Sequence, residues 1–279
     1  MLPLEDDPGD ILRKAMNGRR FTADHLAHGS GVPAHRISAW IRGEPCDATR
    51  EECDAIAHIL DLKPSAFADA VARRWSPHSI VHPHIDTHVQ APHPSNGYVY
   101  FLDSCKRAIL VDPAGIAEPI FRVLADKAYH LQYILVTHKH ADHCDAVAEI
   151  AHAFPDARIV MHPLDAHALG PLEASVLRVR DGDTIPVGDE TVIRALHTPG
   201  HTDGSTSYLL QSTLFSGDTL FAGSVGGAYG ELSTYDDILH SIEGRLFTLP
   251  EETIVMPGHG PPTTIAEERI HNPFFPHHL

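Results

Sequence analysis

The sequence predicts an α/β fold preceded by a small all-α module. Three observations carry this reading. From Pro8 to about Trp75 apolar residues recur at helical spacing in short segments, whereas beyond Tyr98 short strand-like runs alternate with helical ones. Between them lies "SPHSIVHPHIDTHVQAPHPSNGY", where Pro77, Pro83, Pro92 and Pro94 discourage helix. The expected organisation is residues 1–75 helical, 76–97 a linker and first strand, and 98–279 the α/β domain.

Composition bounds what the chain can do. With 279 residues and 43% hydrophobic composition it can bury a large core. No apolar stretch approaches the roughly 18 residues that span a bilayer. The opening "MLPLEDDPGD" is acidic where a signal peptide is basic and then apolar. A cytoplasmic protein without membrane contact is expected. Cys46, Cys53, Cys105 and Cys144 form no CxxC pair, so neither a disulfide framework nor a thiolate zinc site is indicated. A formal charge of -16 disfavours non-specific attraction to nucleic acid or anionic lipid, so any DNA contact must come from a local surface.

In the helical module, Thr22 can cap a helix through Leu26 and Ala27, Gly31 can turn the chain, and a second helix carries Ile37, Trp40 and Ile41 up to Gly43. "TREE" from Thr49 is a capping box before Ile56, Ile59 and Leu60, and Pro64 can open a further helix with Phe67 and Val71. On Ala27, Gly31, Ile37, "RISAWIRGE" and "AIAHILDLKPSAF" this region resembles the Cro and lambda-repressor (XRE) type of helix-turn-helix domain. The resemblance implies that the front of the second helix meets the DNA major groove, with His35, Arg36 and Ser38 as candidate contacts. Residues 1–70 nevertheless hold 8 basic and 12 acidic side chains, where a DNA-binding face is basic. Dimerisation or protein contact is the alternative, and a homo-oligomer is expected.

In the α/β domain, "YVYFLD", "RAILVDP", "YILVTH", "ARIVMH", "TVIRALHTPG", "TSYLLQ", "STLFSGD" and "ETIVMPGHG" read as strands, and "IAEPIFRVLADKAY", "CDAVAEIAHAF" and "TYDDILHSIEGRLF" as helices. Several strands end on His or Asp, which is where a rigid scaffold presents ligands. In "THKHADHC" the side chains His138, His140, Asp142 and His143 follow a strand closely enough to converge on a metal ion. "HTPGH" adds His201, "FSGDTLF" adds Asp218 and "PGHG" adds His259. Five histidines and two aspartates exceed one zinc site and suit two ions sharing a carboxylate. His82 and His84 sit in an irregular segment without a carboxylate and are assigned no metal.

These motifs, "HKHADH", "HTPGHTDGS", "SGDTLF" and "PGHG", with "DGDTIPVG", "ILVDPAG" and "HNPFF", resemble the metallo-β-lactamase superfamily from about Tyr98 to Phe275. The resemblance implies a four-layer αββα sandwich. It also implies one metal on His138, His140 and His201, a second on Asp142, His143 and His259, and Asp218 bridging. The cofactor expected is a pair of Zn(2+) ions, with Fe or Mn as alternatives. Asp142 is a candidate catalytic group. Tyr229, in "GGAYGE", is a candidate donor to a substrate oxyanion. Cys144 reads as a packed thiol in the helix "CDAVAEIAHAF", and Asn96 and Asp112 as structural.

Within the superfamily the chain is most similar to short glyoxalase II-like hydrolases, which cleave thioesters such as acylated glutathione. It runs only 20 residues past His259 and lacks the Arg of their "GR-TDF" element. The expected small-molecule substrate is therefore a thioester, an ester or a lactone. Two alternatives stand beside this. One is a persulfide dioxygenase with one iron on His138, His201 and Asp218, whose "PAHDY" ending is here "PGHGPP". The other is a transcriptional regulator with a metallo-β-lactamase-fold sensor domain. β-Lactamase activity itself is not expected of an acidic chain without an export signal.

Overall fold

Five short helices come first: α1 (Pro8–Arg19), α2 (Ala23–Ser30), α3 (Ala34–Ile41), α4 (Arg50–Leu60) and α5 (Pro64–Val71). Side-chain caps start three of them. Asp7 and Asp10 form a reciprocal box at α1, Thr22 accepts from His25 N at α2, and Thr49 and Glu52 form a second box at α4. Such a cap contributes about 1 kcal/mol. Pro64 opens α5, where its missing N–H costs nothing, and Gly31 turns α2 into α3 at φ +74°, a conformation that favours glycine.

The computed structural model describes residues 2–90, 94–188, 191–229 and 232–278; parts of the expected linker and of "GGAYGE" lie outside them. A first sheet is built from β1 (Ile85–Val89), β2 (Asn96–Leu102), β3 (Arg107–Val111), β4 (His130–Leu135), β5 (Arg158–Met161) and β6 (Leu177–Arg178), in that order. Its first two pairings are antiparallel and the rest parallel. Helices α6 (Glu118–Lys127), α7 (Ala141–Cys144) and α8 (Val147–Ala153) are interleaved with it, and a kinked 3₁₀ segment (Ala166–Ser175) precedes β6. The single helix read in "CDAVAEIAHAF" is in fact two: Cys144 ends the short α7, and α8 starts at Val147.

The second sheet has the order β14-β13-β10-β9-β8-β7. Its strands are β7 (Thr184–Val187), β8 (Thr191–His197), β9 (Thr206–Leu210), β10 (Thr213–Gly217), β13 (Ile254–Pro257) and β14 (Thr263–Thr264). A small hairpin, β11 (Leu220–Phe221) with β12 (Ser224–Val225), follows β10. Helix α9 (Tyr235–Ser241) runs into a π turn (Ile242–Leu246), and α10 (Ile265–His271) follows β14.

Strand periodicity fixes the layers. In β2, Tyr98, Tyr100 and Leu102 face the second sheet with Ile193, Tyr208 and Phe215, while Val99 and Phe101 face outward onto Ile120 and Leu124 of α6. Both faces are buried, which is why these strands read as continuous apolar runs. Beyond the second sheet, Leu214 and Val255 pack with Ile238, Ile242 and Phe247. The result is helices, sheet, sheet, helices. Among the described residues no helix is long and apolar enough to cross a membrane.

The leading helices are not set apart from this sandwich. Leu12, Leu26, Ile37, Trp40, Ile56 and Phe67 belong to the same apolar cluster as Tyr235, Ile238, Phe274 and Phe275. Polar contacts lock the seam. Lys14 Nζ donates to Val225 O at 2.7 Å, and the buried Lys63 donates to Arg269 O at 2.8 Å and Ile270 O at 3.0 Å. Gly18 lies so close to Tyr235 that a Cβ there would meet the ring at 2.2 Å.

Two predictions follow from this packing. Leu12→Ala removes a fully buried side chain from the shared cluster, at a cost of about 2–5 kcal/mol. Urea unfolding should therefore shift as one transition, including signals from the sheets. The second concerns Glu268, which accepts from Gly223 N, Asn272 Nδ2 and Thr263 Oγ1; burial, with Glu267 beside it, nonetheless pushes it up to about 8. Between its ordinary 4.5 and about 8 the folded chain holds a proton the unfolded chain has lost, so this group's contribution falls as pH rises through that window. Glu268→Gln mimics the protonated form, and its urea midpoint should fall less than wild type's between pH 5 and pH 8.

Candidate metal centre

Strand direction brings the ligands to one edge. In the second sheet β8 and β10 are each antiparallel to β9, and β13 is parallel to β10, so all three end together. His201 follows β8, Asp218 follows β10 and His259 follows β13. In the first sheet β3 and β4 are parallel and end on Asp112 and on the run Thr137 to His143. The two edges meet through Thr206 N, which donates to Thr137 O at 3.0 Å.

At this junction the side chains fall into overlapping clusters. His138, His140 and His201 bring ligand atoms within 4.8 Å of one another, as do Asp142, His143 and His259, and as do His138, His143 and Asp218. Asp218 sits between the two outer groups, with Oδ1 3.3 Å from His143 Nε2 and Oδ2 3.4 Å from His259 Nε2 and 3.5 Å from His201 Nε2. Asp142 Oδ2 lies 3.5 Å from His259 Nε2 and 3.8 Å from His143 Nε2. All seven residues read from the sequence thus share one pocket.

The outer nitrogens of four rings are tied down, which sets their tautomers. His201 Nδ1 donates to Gly227 O at 2.7 Å, His259 Nδ1 to Pro94 O at 2.8 Å, and His143 Nδ1 lies 3.0 Å from Asp112 Oδ2. Thr137 Oγ1 donates to Asp112 Oδ2 at 2.7 Å and so accepts from His138 Nδ1 at 3.0 Å. Each bond leaves Nε2 with its lone pair turned inward, the arrangement metal-binding imidazoles need. His138 Nε2, His143 Nε2 and Asp218 Oδ1 are buried and have no hydrogen-bond partner among the described residues. Buried polar atoms are rarely left so, and these fit divalent cations. The pocket is also narrow at its floor: a Cβ on Gly258 would meet Asp218 Oδ1 at 2.2 Å and His143 Cε1 at 2.7 Å.

Protonation follows position. Burial pushes His201 down to about 4 and holds His138 well below the usual imidazole range, so both are neutral ligands at pH 7. Burial alone would raise Asp218, but His143, His259 and His201 around it keep it well below the usual carboxylate range. Burial also opposes charge on His143, yet Asp218 and Asp112 outweigh it and raise it, so that a cation binding at its Nε2 would displace a proton.

Asp112 and Asn96 turn out to support the site. Asp112 receives Thr137 N at 2.7 Å and bridges to His143, from a left-handed backbone (φ 49°). Asn96 Nδ2 donates to Pro257 O and Gly260 O, gripping the loop that carries His259. Asp165, which no motif marked, is fully buried and accepts from Thr202 Oγ1 at 2.5 Å and Lys139 N at 3.1 Å, tying the His138 and His201 loops together. Its one sequence signal is its closeness to the end of the strand "ARIVMH".

Tyr229 stands at the rim, 70% exposed, with its ring 5.5 Å from that of His201 and 6.2 Å from that of His140. Cys144 is buried, its thiol directed at Lys139 O at 3.6 Å and pushed up to about 12 by burial. His82 and His84 lie apart from the centre, beside Thr213 and Asp103. On α3, His35 is exposed and Ser38 half-buried. Arg36 is spent within the chain, on Glu52 at 2.6 Å and Asp47 at 3.0 Å and over the Trp40 ring.

A two-sheet sandwich holding a carboxylate between two imidazole-rich clusters has the donor set of a metal-binding protein. More particularly, the family model of the Metallo-beta-lactamase superfamily matches residues 92–259, and the chain belongs to that superfamily, whose site is dinuclear. It is 32% identical over 197 residues to the probable metallo-hydrolase YqgX of Bacillus subtilis, covering 65% of this chain and 93% of that protein. With the hydroxyacylglutathione hydrolase of Tolumonas auensis it shares 33% identity over 169 residues, 60% of this chain but only 63% of the relative's length. Among solved structures, TTHA1623 in a di-iron-bound form superposes with a TM-score of 0.56 at 31% identity, covering 68% of this chain and all of that one.

Asp112→Ala leaves His143 without its orienting partner, and removing such support costs about 10–100-fold in metal affinity. Competition with a chelator of known affinity should show that loss for the metal held by His143, with the circular dichroism of the folded chain retained.

Proposed function

We propose that the chain is a dinuclear metallo-hydrolase acting on a thioester, or on an ester or lactone of similar size. The observation that carries this is the pair of three-residue clusters on either side of Asp218. A one-ion site would need only the first, whereas Asp142, His143 and His259 form a second complete set. His138, His140 and His201 would hold one ion, Asp142, His143 and His259 the other, and Asp218 both. When bound, such a pair supplies hydroxide near neutral pH and stabilises negative charge on a substrate oxygen.

The remaining work falls to the chain. Asp142 is partly exposed, and its backbone oxygen accepts from Ser95 Oγ at 2.5 Å, which fixes its turn. In this reading it takes a proton and passes it to the leaving group. Tyr229 lies at the open side, where its hydroxyl can donate to the substrate carbonyl oxygen. The likeness to a hydroxyacylglutathione hydrolase supports an acyl–sulfur bond as the one cut. The spent Arg36 and the shared core favour a covering role for α1–α5 over reading DNA.

Asp218→Ala should abolish hydrolysis across a panel of thioesters, esters and lactones, and elemental analysis should show metal content falling from two ions per chain. Unchanged turnover in that variant, or one ion per chain in the active wild type, would overturn the proposal.

A further inference from the structure

In a chain of net charge -16, one cleft of about 270 Å³ is lined by Arg13, Lys14 and Arg20 and, among the described residues, by no carboxylate. One wall is α1. The other is the loop Gly226 to Tyr229, with Thr234 and Tyr235 behind it. That loop is also a wall of the metal centre: Gly227 O receives His201 Nδ1, and Tyr229 N donates to His201 O at 3.0 Å. Tyr229 therefore borders both spaces.

The three cations do different things. Lys14 is consumed by Asp6 at 2.5 Å and Val225 O at 2.7 Å, and so fastens α1 against β12. Arg13 is held by Ile41 O at 2.9 Å and by Asp10 at 2.6 Å. Arg20 makes no ion pair or side-chain hydrogen bond with any described residue, nor does the amide of Asn17 one turn earlier. An unspent planar fork beside an amide donor suits a carboxylate or a phosphate oxygen pair.

We propose that this cleft is a subsite for an anionic terminus of the substrate, a carboxylate or a phosphate, recognised by Arg20 and Asn17. The leading helix thereby becomes part of the substrate-binding wall. This rests on the hydrolase reading for its kinetic consequence, but anion binding itself does not.

Two measurements test it on the metal-loaded full chain. S-Acetyl 3-mercaptopropionate, its neutral methyl ester and S-acetyl 2-mercaptoethyl phosphate form a matched series. Wild type should show a KM for an anionic member about tenfold below that for the neutral ester. Arg20→Ala should bring the ratio close to one, and Arg20→Lys should restore part of it. Arg122→Ala, on α6 and outside the cleft, should keep it. Whichever anionic member loses more identifies the terminus as carboxylate or phosphate. Independently of turnover, titration with propionate and with inorganic phosphate should shift the amide resonances of Gly18, Arg20 and Tyr229 in wild type and not in Arg20→Ala. Absence of those shifts, or equal KM values across the series, overturns the subsite. Saturable shifts in a protein that cleaves no thioester, ester or lactone would leave the subsite standing and overturn the hydrolase reading alone.

Discussion

The fold is organised around a carboxylate that has been taken out of water. Asp218 is buried, ionised, and faced by His143, His201 and His259 at 3.3 to 3.5 Å, none of them aligned to bond with its Oδ1. Burying a charge is costly, and a protein can hold such a group only if the rest of the fold leaves it no alternative. Here the constraint comes from both sheets at once. The parallel run of β10 and β13 and the matching direction of β8 put three loop exits at one edge, while Asp112 and Asp165 brace the loops from the opposite sheet. The field of the buried carboxylates favours positive charge in this pocket, and divalent cations would fit the donor atoms already turned toward it.

The leading helices answer a different need. The outer face of the second sheet is apolar, and α9, its π turn and α10 cover it together with α1–α5 in one cluster. Packing of this kind makes the helices a structural layer, whatever else they do. It also explains where their charges point. Lys63 is buried and Lys14 half-buried as they reach backbone oxygens across the seam, and Arg36 is closed off by Glu52 and Asp47, so the open cationic groups are few and local.

Much of this was legible in the residues because local chemistry decides it. Thr22, Thr49 with Glu52, and Pro64 each specify a helix start by satisfying or sparing an end-of-helix N–H, and each stands where that reasoning puts it. The seven residues that cluster could be named since polar side chains that end apolar strands are conspicuous. What escaped depends on distance in space. Asp112 and Asn96 look like ordinary strand-end polar residues until His143 and the Gly258–Gly260 turn are seen against them. Asp165 has no motif at all. The α7–α8 break follows the chain's turn back from the metal loop, not periodicity. The shared core was hidden for a similar reason: an apolar helix face reads the same whether it packs on a neighbouring helix or on a sheet two hundred residues away.

The seam through Lys63 has a consequence for how the chain is made. Its partners include Arg269 O and Ile270 O, 206 and 207 positions further along the chain, with Pro273 O and the rings of Phe274 and Phe275 in the same later segment. The helices around Lys63 must therefore wait, with their sheet-facing side bare, until that later segment has emerged. During translation that greasy flank is a standing invitation to chaperones and to other nascent chains, and final closure is a late step rather than an early one.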